Sequence, residues 1–283
     1  MTAGRDLAPG TVRDMVLSAR ITRHLSRVEP PAVASLGSSN TVWRIFIALS
    51  DQSSLLPSSL ANALAVDRSI VSRALARLHA LGLVSRRVDP TDRRQVRVSL
   101  SARGRRTLND YLSSVAVAFA GAATAVDEFC GPQVIEDADA RRSARGFTVL
   151  SLETSLNELA VVGSTVVRDF LDIEAEFGVS GWQQRFTSWA AAAAPEAPAE
   201  ELAQDLGLDP SSVSQAMDGL GALGLLDRNH PDRTVRLTPR GLDFVRRQAA
   251  AFVAHREDLV RALTNARAAA ATRDRWHRPR VSG

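Results

Sequence analysis

PSSLANALAVDRSIVSRALARLHALGLVSRRVDPTDRRQVRVSLSARG, Pro57 to Gly104, is the stretch on which the fold turns. Pro57 is an acceptable opening residue for a helix, and Leu60, Leu64 and Val66 carry an apolar side until Asp67 interrupts. Asp67 is suited to cap a second helix, which runs from Arg68 to Leu81 and stops at Gly82, the residue type common just past a helix end. At about 100° per residue, Val71, Ala74, Leu75 and Leu78 fall on one face, and Ser69, Ser72, Arg73, Ala76 and Arg77 on the other. Next, Val84, Arg86 and Val88 alternate, DPTDRRQ follows, and Val96, Val98 and Leu100 alternate again, which reads as a hairpin with a long basic tip. Two short helices, a tight turn and a hairpin make a winged helix-turn-helix. In that arrangement the second helix enters the major groove of double-stranded DNA and the wing reaches the neighbouring backbone or minor groove.

The residues Asp67-Arg68-Ser69, Val71-Ser72-Arg73, Leu78 to Val84, Asp89-Pro90 and Asp92-Arg93-Arg94 resemble the MarR family of multiple-antibiotic-resistance-type regulators. So do Val98-Ser99-Leu100-Ser101 and Gly104, which complete the family's run of D-x-R, short strand and L-T/S-x-x-G. The resemblance implies a dimeric bacterial transcription factor, usually a repressor, often released from DNA by a small ligand or by oxidation.

A chain of 283 residues holds about two domains of ordinary size. The longest apolar run, Val115 to Val126, falls well short of the ~20 residues of a membrane span, so no membrane partner is expected. A single cysteine cannot close an internal disulfide and fits a reducing cytoplasm. Net charge is only +4 although the pI is near 10.6, because every basic side chain is Arg and none is Lys. That bias suits a GC-rich bacterial genome. With so little net charge, affinity for DNA must depend on where the arginines sit.

Along the chain, Thr11 to Val28 is amphipathic and ends at Glu29-Pro30-Pro31, and Thr41 to Leu49 is a compact apolar helix. A long helix is expected from Ser101 through Val126, then a break at Gly131-Pro132 and an acidic linker near Glu136 to Asp139. A second long amphipathic segment covers about Phe147 to Phe177, and Trp182 to Trp189 is again a compact apolar helix, running into an Ala/Pro stretch expected to be flexible. Then ELAQDLGLDPSSVSQAMDGLGALGLLDRNHPDRTVRLTPRG, Glu201 to Gly241, repeats the organising stretch. Offset by 142, Leu60 pairs with Leu202, Asp67 with Asp209, Ser72 with Ser214 and Gly82 with Gly224, whereas Gly104 pairs with Gly241 at 137 because the second wing is shorter. The chain thus reads as an internal duplication, with a unit at 1–140 (winged helix about 41–104) and another at 141–283 (about 182–241). The expected fold class is mainly α with small β-wings: two winged helix-turn-helix lobes joined by a long-helix hub. In the MarR family such helices form the dimerisation domain, and here 11–28, 101–126, 147–177 and 239–271 supply both sets in one chain. That implies an intramolecular pseudo-dimer, with a further homodimer left open.

The two copies differ in charge. Leu60 to Gly104 carries nine Arg against three Asp, a net of +6, while Leu202 to Gly241 carries four Arg against five Asp, a net of −1. Phosphate contact dominates affinity for duplex DNA, so the first copy is the expected reader. Arg68, Ser69 and Ser72 are placed to hold phosphates near the helix N-terminus, and Arg73 to read guanine N7 and O6. Arg77 and Arg93 extend the basic face, Arg94 suits the minor groove, and Asp92 is expected to orient a neighbouring Arg. Cys130, beside Asp127 and Glu128, reads as inert, and the five histidines lack metal-ligand spacing. Trp43 and Trp182 read as core, with a place beside a pocket for a small aromatic ligand as the lesser reading. With no nucleophile triad, phosphate loop or cofactor motif, neither an enzyme nor a cofactor is expected. The reading is a sequence-specific transcriptional regulator, a repressor by resemblance. Its alternative is a protein-interaction or ligand-sensing module.

Overall fold

The computed structural model describes residues 7–26, 40–50, 54–64, 66–143, 151–227 and 235–277. Within them the first winged helix has the elements its sequence calls for: α2 (Asn40–Ala48), α3 (Pro57–Leu64), α4 (Arg68–Ala80), β1 (Val84–Val88) and β2 (Val96–Leu100). Asp67 caps α4, accepting the Ser69 amide at 2.7 Å. Beyond the end of α4, Gly82 adopts φ +68°, a left-handed conformation that costs glycine little. β1 and β2 pair antiparallel with Val84 opposite Leu100 and Val88 opposite Val96, and Leu55 adds a bridge to Val98. Leu60, Leu64, Val71, Leu75, Leu78, Val84 and Val98 are buried together in this core.

The same order of elements occurs again. α9 (Trp182–Ala193), α10 (Ala199–Leu206) and α11 (Pro210–Ala222) lead to β3 (Leu226–Asp227), β4 (Arg236–Leu237) and α12 (Pro239–His277). Asp209 accepts the Ser211 amide at 2.7 Å, and Gly224 has φ +67°. In each wing a glycine opens the following helix against a carbonyl. A Cβ on Gly104 would lie 1.9 Å from the Leu83 oxygen, and one on Gly241 would lie 1.9 Å from the Leu225 oxygen. A hydroxyl secures each turn: Ser101 Oγ donates to the Gly82 carbonyl at 2.6 Å, and Thr238 Oγ1 to that of Gly224 at 2.7 Å.

The remaining helices are α1 (Pro9–Ser26), α5 (Ala102–Gly121), α6 (Ala123–Cys130), α7 (Pro132–Ser143) and α8 (Leu152–Phe177). Two compact units result. The N-wing unit takes residues 25–121, 133–161 and 262–283; the C-wing unit takes 1–24, 122–132 and 162–261. Each therefore contains chain from both sides of residue 140. In the N-wing unit, α5 buries Leu108, Leu112, Val115 and Phe119, and Asn265 of α12 donates to Glu158 of α8 at 3.2 Å.

In the C-wing unit, Arg256 of α12 pairs with Asp14 of α1 at 2.6 Å, and Phe252 meets Phe129 of α6 edge-to-face at 6.1 Å. A polar network is buried in its centre. Arg185 of α9 grips Glu174 of α8 with two nitrogens, Nη2 at 3.0 Å, and both residues are more than nine-tenths buried. Gln248 of α12 joins them, accepting from Trp189 Nε1 at 2.7 Å and donating to Glu174 at 3.4 Å. Such a pair persists in a core only when hydrogen bonds around it offset desolvation, and here three helices supply them.

Three sequence expectations change. The helix expected over 101–126 breaks at Ala122 and resumes as α6, because the bend lets Val126, Phe129 and Cys130 face a core of their own. The acidic residues 136–139 lie inside α7 rather than in a linker. The Ala run after Trp189 is the last turn of α9, with Ala190 and Ala191 buried; alanine favours helix, and its small side chain lets α9 approach α10 closely. The start of the segment expected at 147, the Trp43 side chain and residues 228–234 of the second wing fall outside the described residues. Among the described residues no single helix is long and apolar enough to cross a membrane.

Candidate nucleic-acid interface

Helix α4 is amphipathic in the expected sense. Val71, Ala74, Leu75 and Leu78 are buried, and Arg68, Ser69, Ser72, Arg73 and Arg77 are exposed. The Asp67 cap uses the N-terminal donors of the helix for itself: the Ser69 hydroxyl, then its amide, and more weakly Arg73 hold the Asp67 carboxyl below its ordinary range. An anion at this end of α4 therefore meets side chains first. His79 packs at the other end, its Nδ1–H donating to the Val84 carbonyl at 3.1 Å, which assigns the ring to structure.

The wing turn is built around Asp89, a residue to which the sequence reading assigns no task. Its carboxyl is buried and accepts from Thr91 Oγ1 at 2.5 Å, from the Thr91 amide at 2.8 Å and from the Asp92 amide at 3.3 Å, with Arg97 Nε completing the set. The Thr91 hydroxyl, the Thr91 amide and Arg97, in that order, drive its pKa far below the usual carboxylate range. The local signal for this was D-x-T, an aspartate two residues before a donor, which favours an Asx-type turn.

Asp92, expected to orient a neighbouring Arg, accepts from the Arg94 amide at 3.0 Å and from Gln95 Nε2 at 2.9 Å, so its contact with Arg94 is through the backbone. Arg93 and Arg94 are exposed at the tip, and Arg86 and Arg87, which the sequence reading left out, are exposed on β1. The fold thus sets two rows of guanidinium groups, on α4 and on the wing, into one module. Beneath α4, buried Arg44 of α2 donates to the Leu64 carbonyl at 2.8 Å, closing the end of α3.

The corresponding face of α11 is different. Ser211, Gln215 and Asp218 are exposed there, with Asp205 on α10 and Asp209 at the cap. Gly219 stands in place of Arg77 and is covered: a Cβ on it would meet Gln184 Nε2 at 2.1 Å. Gln184 is in turn held by the Ser180 amide at 2.8 Å. Trp182, expected in the core, is 38% exposed and packs at a tilt against Phe186, ring centroids 5.5 Å apart, with Arg23 over its ring. Cys130 is buried, its Sγ 3.8 Å from the Val260 carbonyl.

Helix-turn-helix, paired wing and exposed arginines define the N-wing module as a winged helix with a basic outer face. Residues 36–95 match the model of the MarR family. No curated protein matches the chain. Solved structures similar to it in part include two. One is a transcriptional regulator designated PA4135, 23% identical with a TM-score of 0.32 over 41% of this chain and 82% of the other. The other is the YusO protein from Bacillus subtilis, 20% identical with a TM-score of 0.37 over 46% of this chain and 90% of the other.

Proposed function

We propose that the protein is a sequence-specific, DNA-binding transcriptional regulator, a repressor, whose affinity resides mainly in the N-terminal winged helix. The observation that carries this is the exposed arginine face of α4 and its wing, within the stretch that matches the MarR family model. Arg73 reads a base edge, Arg68, Ser72 and Arg77 meet phosphates, and Arg93 and Arg94 follow the backbone or minor groove beside them. Asp89 and Asp92 act by shaping the turn that presents those arginines.

On the same reading the chain is an internal duplication, with repeats at 1–140 and 141–283 that together form an intramolecular pseudo-dimer. Paired caps at Asp67 and Asp209, paired left-handed glycines and paired close contacts at Gly104 and Gly241 support it. Gel shifts with genomic fragments flanking its own gene, followed by footprinting, test the function. One strong half-site beside weak protection is expected of a single chain. Two equal halves identify a pair of chains bound through their first lobes, and no shifted fragment rejects the reading.

A second reading, ligand sensing, has one specific observation in its favour. A cleft of about 540 Å³ in the C-wing unit is lined by Val12, Val16 and Leu17 of α1 and by Ala192 and Ala193 of α9, with Arg20 among its polar groups. Trp182 does not line it. The lining is mixed, with Arg13, Glu128 and Asp205 beside Arg20, and Arg13 pairs with Glu128 at 3.3 Å; Arg20 beside the apolar side chains suits a small aromatic carboxylate. Aromatic carboxylates titrated by isothermal calorimetry should bind, and Arg20→Gln should weaken them; no binding by any removes this reading.

A further inference from the structure

The α11 face is closed to phosphate twice, by charge and by shape. Asp218 stands where α4 has Ala76, Gln215 where it has Arg73, and Gly219 where it has Arg77. The position of Gly219 is occupied from outside by Gln184. Asp209 at the cap of α11 and Glu201 and Asp205 on α10 add three more exposed carboxylates. The arginines described nearby are engaged: Arg236 pairs with Glu196 at 2.5 Å, and Arg240 Nη1 donates to the Leu223 carbonyl at 2.8 Å. On a scaffold of the same kind, α4 and its wing present Arg68, Arg73, Arg77, Arg86, Arg87, Arg93 and Arg94 to solvent.

We propose that the acidic α11 face is a docking surface for the basic reading face of a second copy of this chain, so that head-to-tail association in trans competes with DNA. This rests on the reading of α4 and its wing as the DNA interface. Carboxylates of Asp205 and Asp218 take the place that phosphate oxygens take in a complex with DNA, and Arg–carboxylate pairs are among the stronger charge-assisted hydrogen bonds. Complementary potentials of this kind set partner choice and association rate more than affinity. The contact is therefore weak and salt-sensitive, since exposed charges are screened within ~10 Å at 0.1 M salt. Each chain owns one face of each sign, so the contact is heterologous: the acidic face of one chain meets the basic face of another.

Sedimentation velocity on the full chain, at low and high salt over a range of concentrations, tests this. A mixed-sequence duplex of 30 base pairs is titrated in parallel by fluorescence anisotropy. Association at low salt that disperses at high salt or on adding duplex is expected. Asp218→Arg and Arg73→Asp should each weaken self-association by about tenfold or more, whereas only Arg73→Asp should weaken duplex binding. The two variants mixed should associate again, because one retains the acidic face and the other the basic one. That rescue excludes misfolding as the cause of either loss. A chain that stays monomeric at every salt, association indifferent to Asp218→Arg, or no rescue on mixing would each overturn the proposal. Loss of duplex binding by Arg73→Asp without self-association overturns docking alone; duplex binding indifferent to Arg73→Asp overturns the DNA reading beneath it.

Discussion

Helices α4 and α11 share a skeleton and differ on their surface. Both start from an aspartate cap, both bury four residues at equivalent spacing, and both end at a glycine with φ near +67°. Outward, one presents Arg68, Arg73 and Arg77, and the other Pro210, Gln215 and Gly219. The residues that shape the backbone tolerate little change, because a lost cap or a misplaced Cβ is felt by the whole module. Residues on the groove face carry no such structural demand, so they can vary with what they bind. Similarity of core is evidence of fold, and only the exposed face is evidence of function.

The largest test of that comparison is to separate the halves. A 1–140 fragment keeps α1 and α6 but loses α12, which packs on both in the C-wing unit. Phe129 and Cys130 are left uncovered, and the fragment should dimerise or aggregate. A soluble, folded monomer in sedimentation would argue against the pseudo-dimer.

Next in size is the buried pair that belongs to the C-wing unit. Arg185→Met strands the Glu174 carboxylate and should cost about 3–5 kcal/mol of stability, read by chemical denaturation. Adding Glu174→Gln should recover part of it. If the single variant is as stable as the parent, the network holds nothing together.

Gly104→Ala and Gly241→Ala probe what the two modules share. Each places a Cβ against a backbone oxygen, which cannot swing aside as a side chain can, so each should lose about 1–3 kcal/mol or somewhat more. Similar losses support a common architecture; tolerance at only one position denies it.

Binding probes what they do not share. Arg73→Ala should weaken DNA binding by ~1–3 kcal/mol and relax preference at one base position, and Arg94→Ala should lower the salt slope by about one unit. Gln215→Ala should do much less. Equal losses from Arg73→Ala and Gln215→Ala would abolish the asymmetry.

The smallest effect concerns acid. Asp89 has a folded pKa below its unfolded value of 3.8, so the stability it gives the wing is complete above that pH and lost only as pH falls toward the lower folded value. Tryptic cleavage at Arg93 and Arg94 should thus stay slow from neutral pH down to the enzyme's acid limit, and Asp89→Asn should speed it throughout. An unchanged rate in the variant would mean that Asp89 does not hold the turn.

By itself the sequence determined the local grammar of the first winged helix and of the helices at 199–222 that follow the same pattern. Caps at Asp67 and Asp209, stops at Gly82 and Gly224, the period of α4 and the alternation of β1 and β2 are set by neighbours a few residues apart, which a linear string displays. It also determined the charge contrast, since which side of α4 faces out follows from period alone. Tertiary structure decided what depends on distant partners. Asp89 matters because Arg97 comes back across the hairpin to meet it, and Gln184 matters because α9 brings it over Gly219. Glu174 is tolerated in a core only because α9 and α12 arrive with Arg185 and Gln248. The break at Ala122 has one local signal, the poor helix former Gly121, but the core that α6 enters is built from residues more than a hundred positions away.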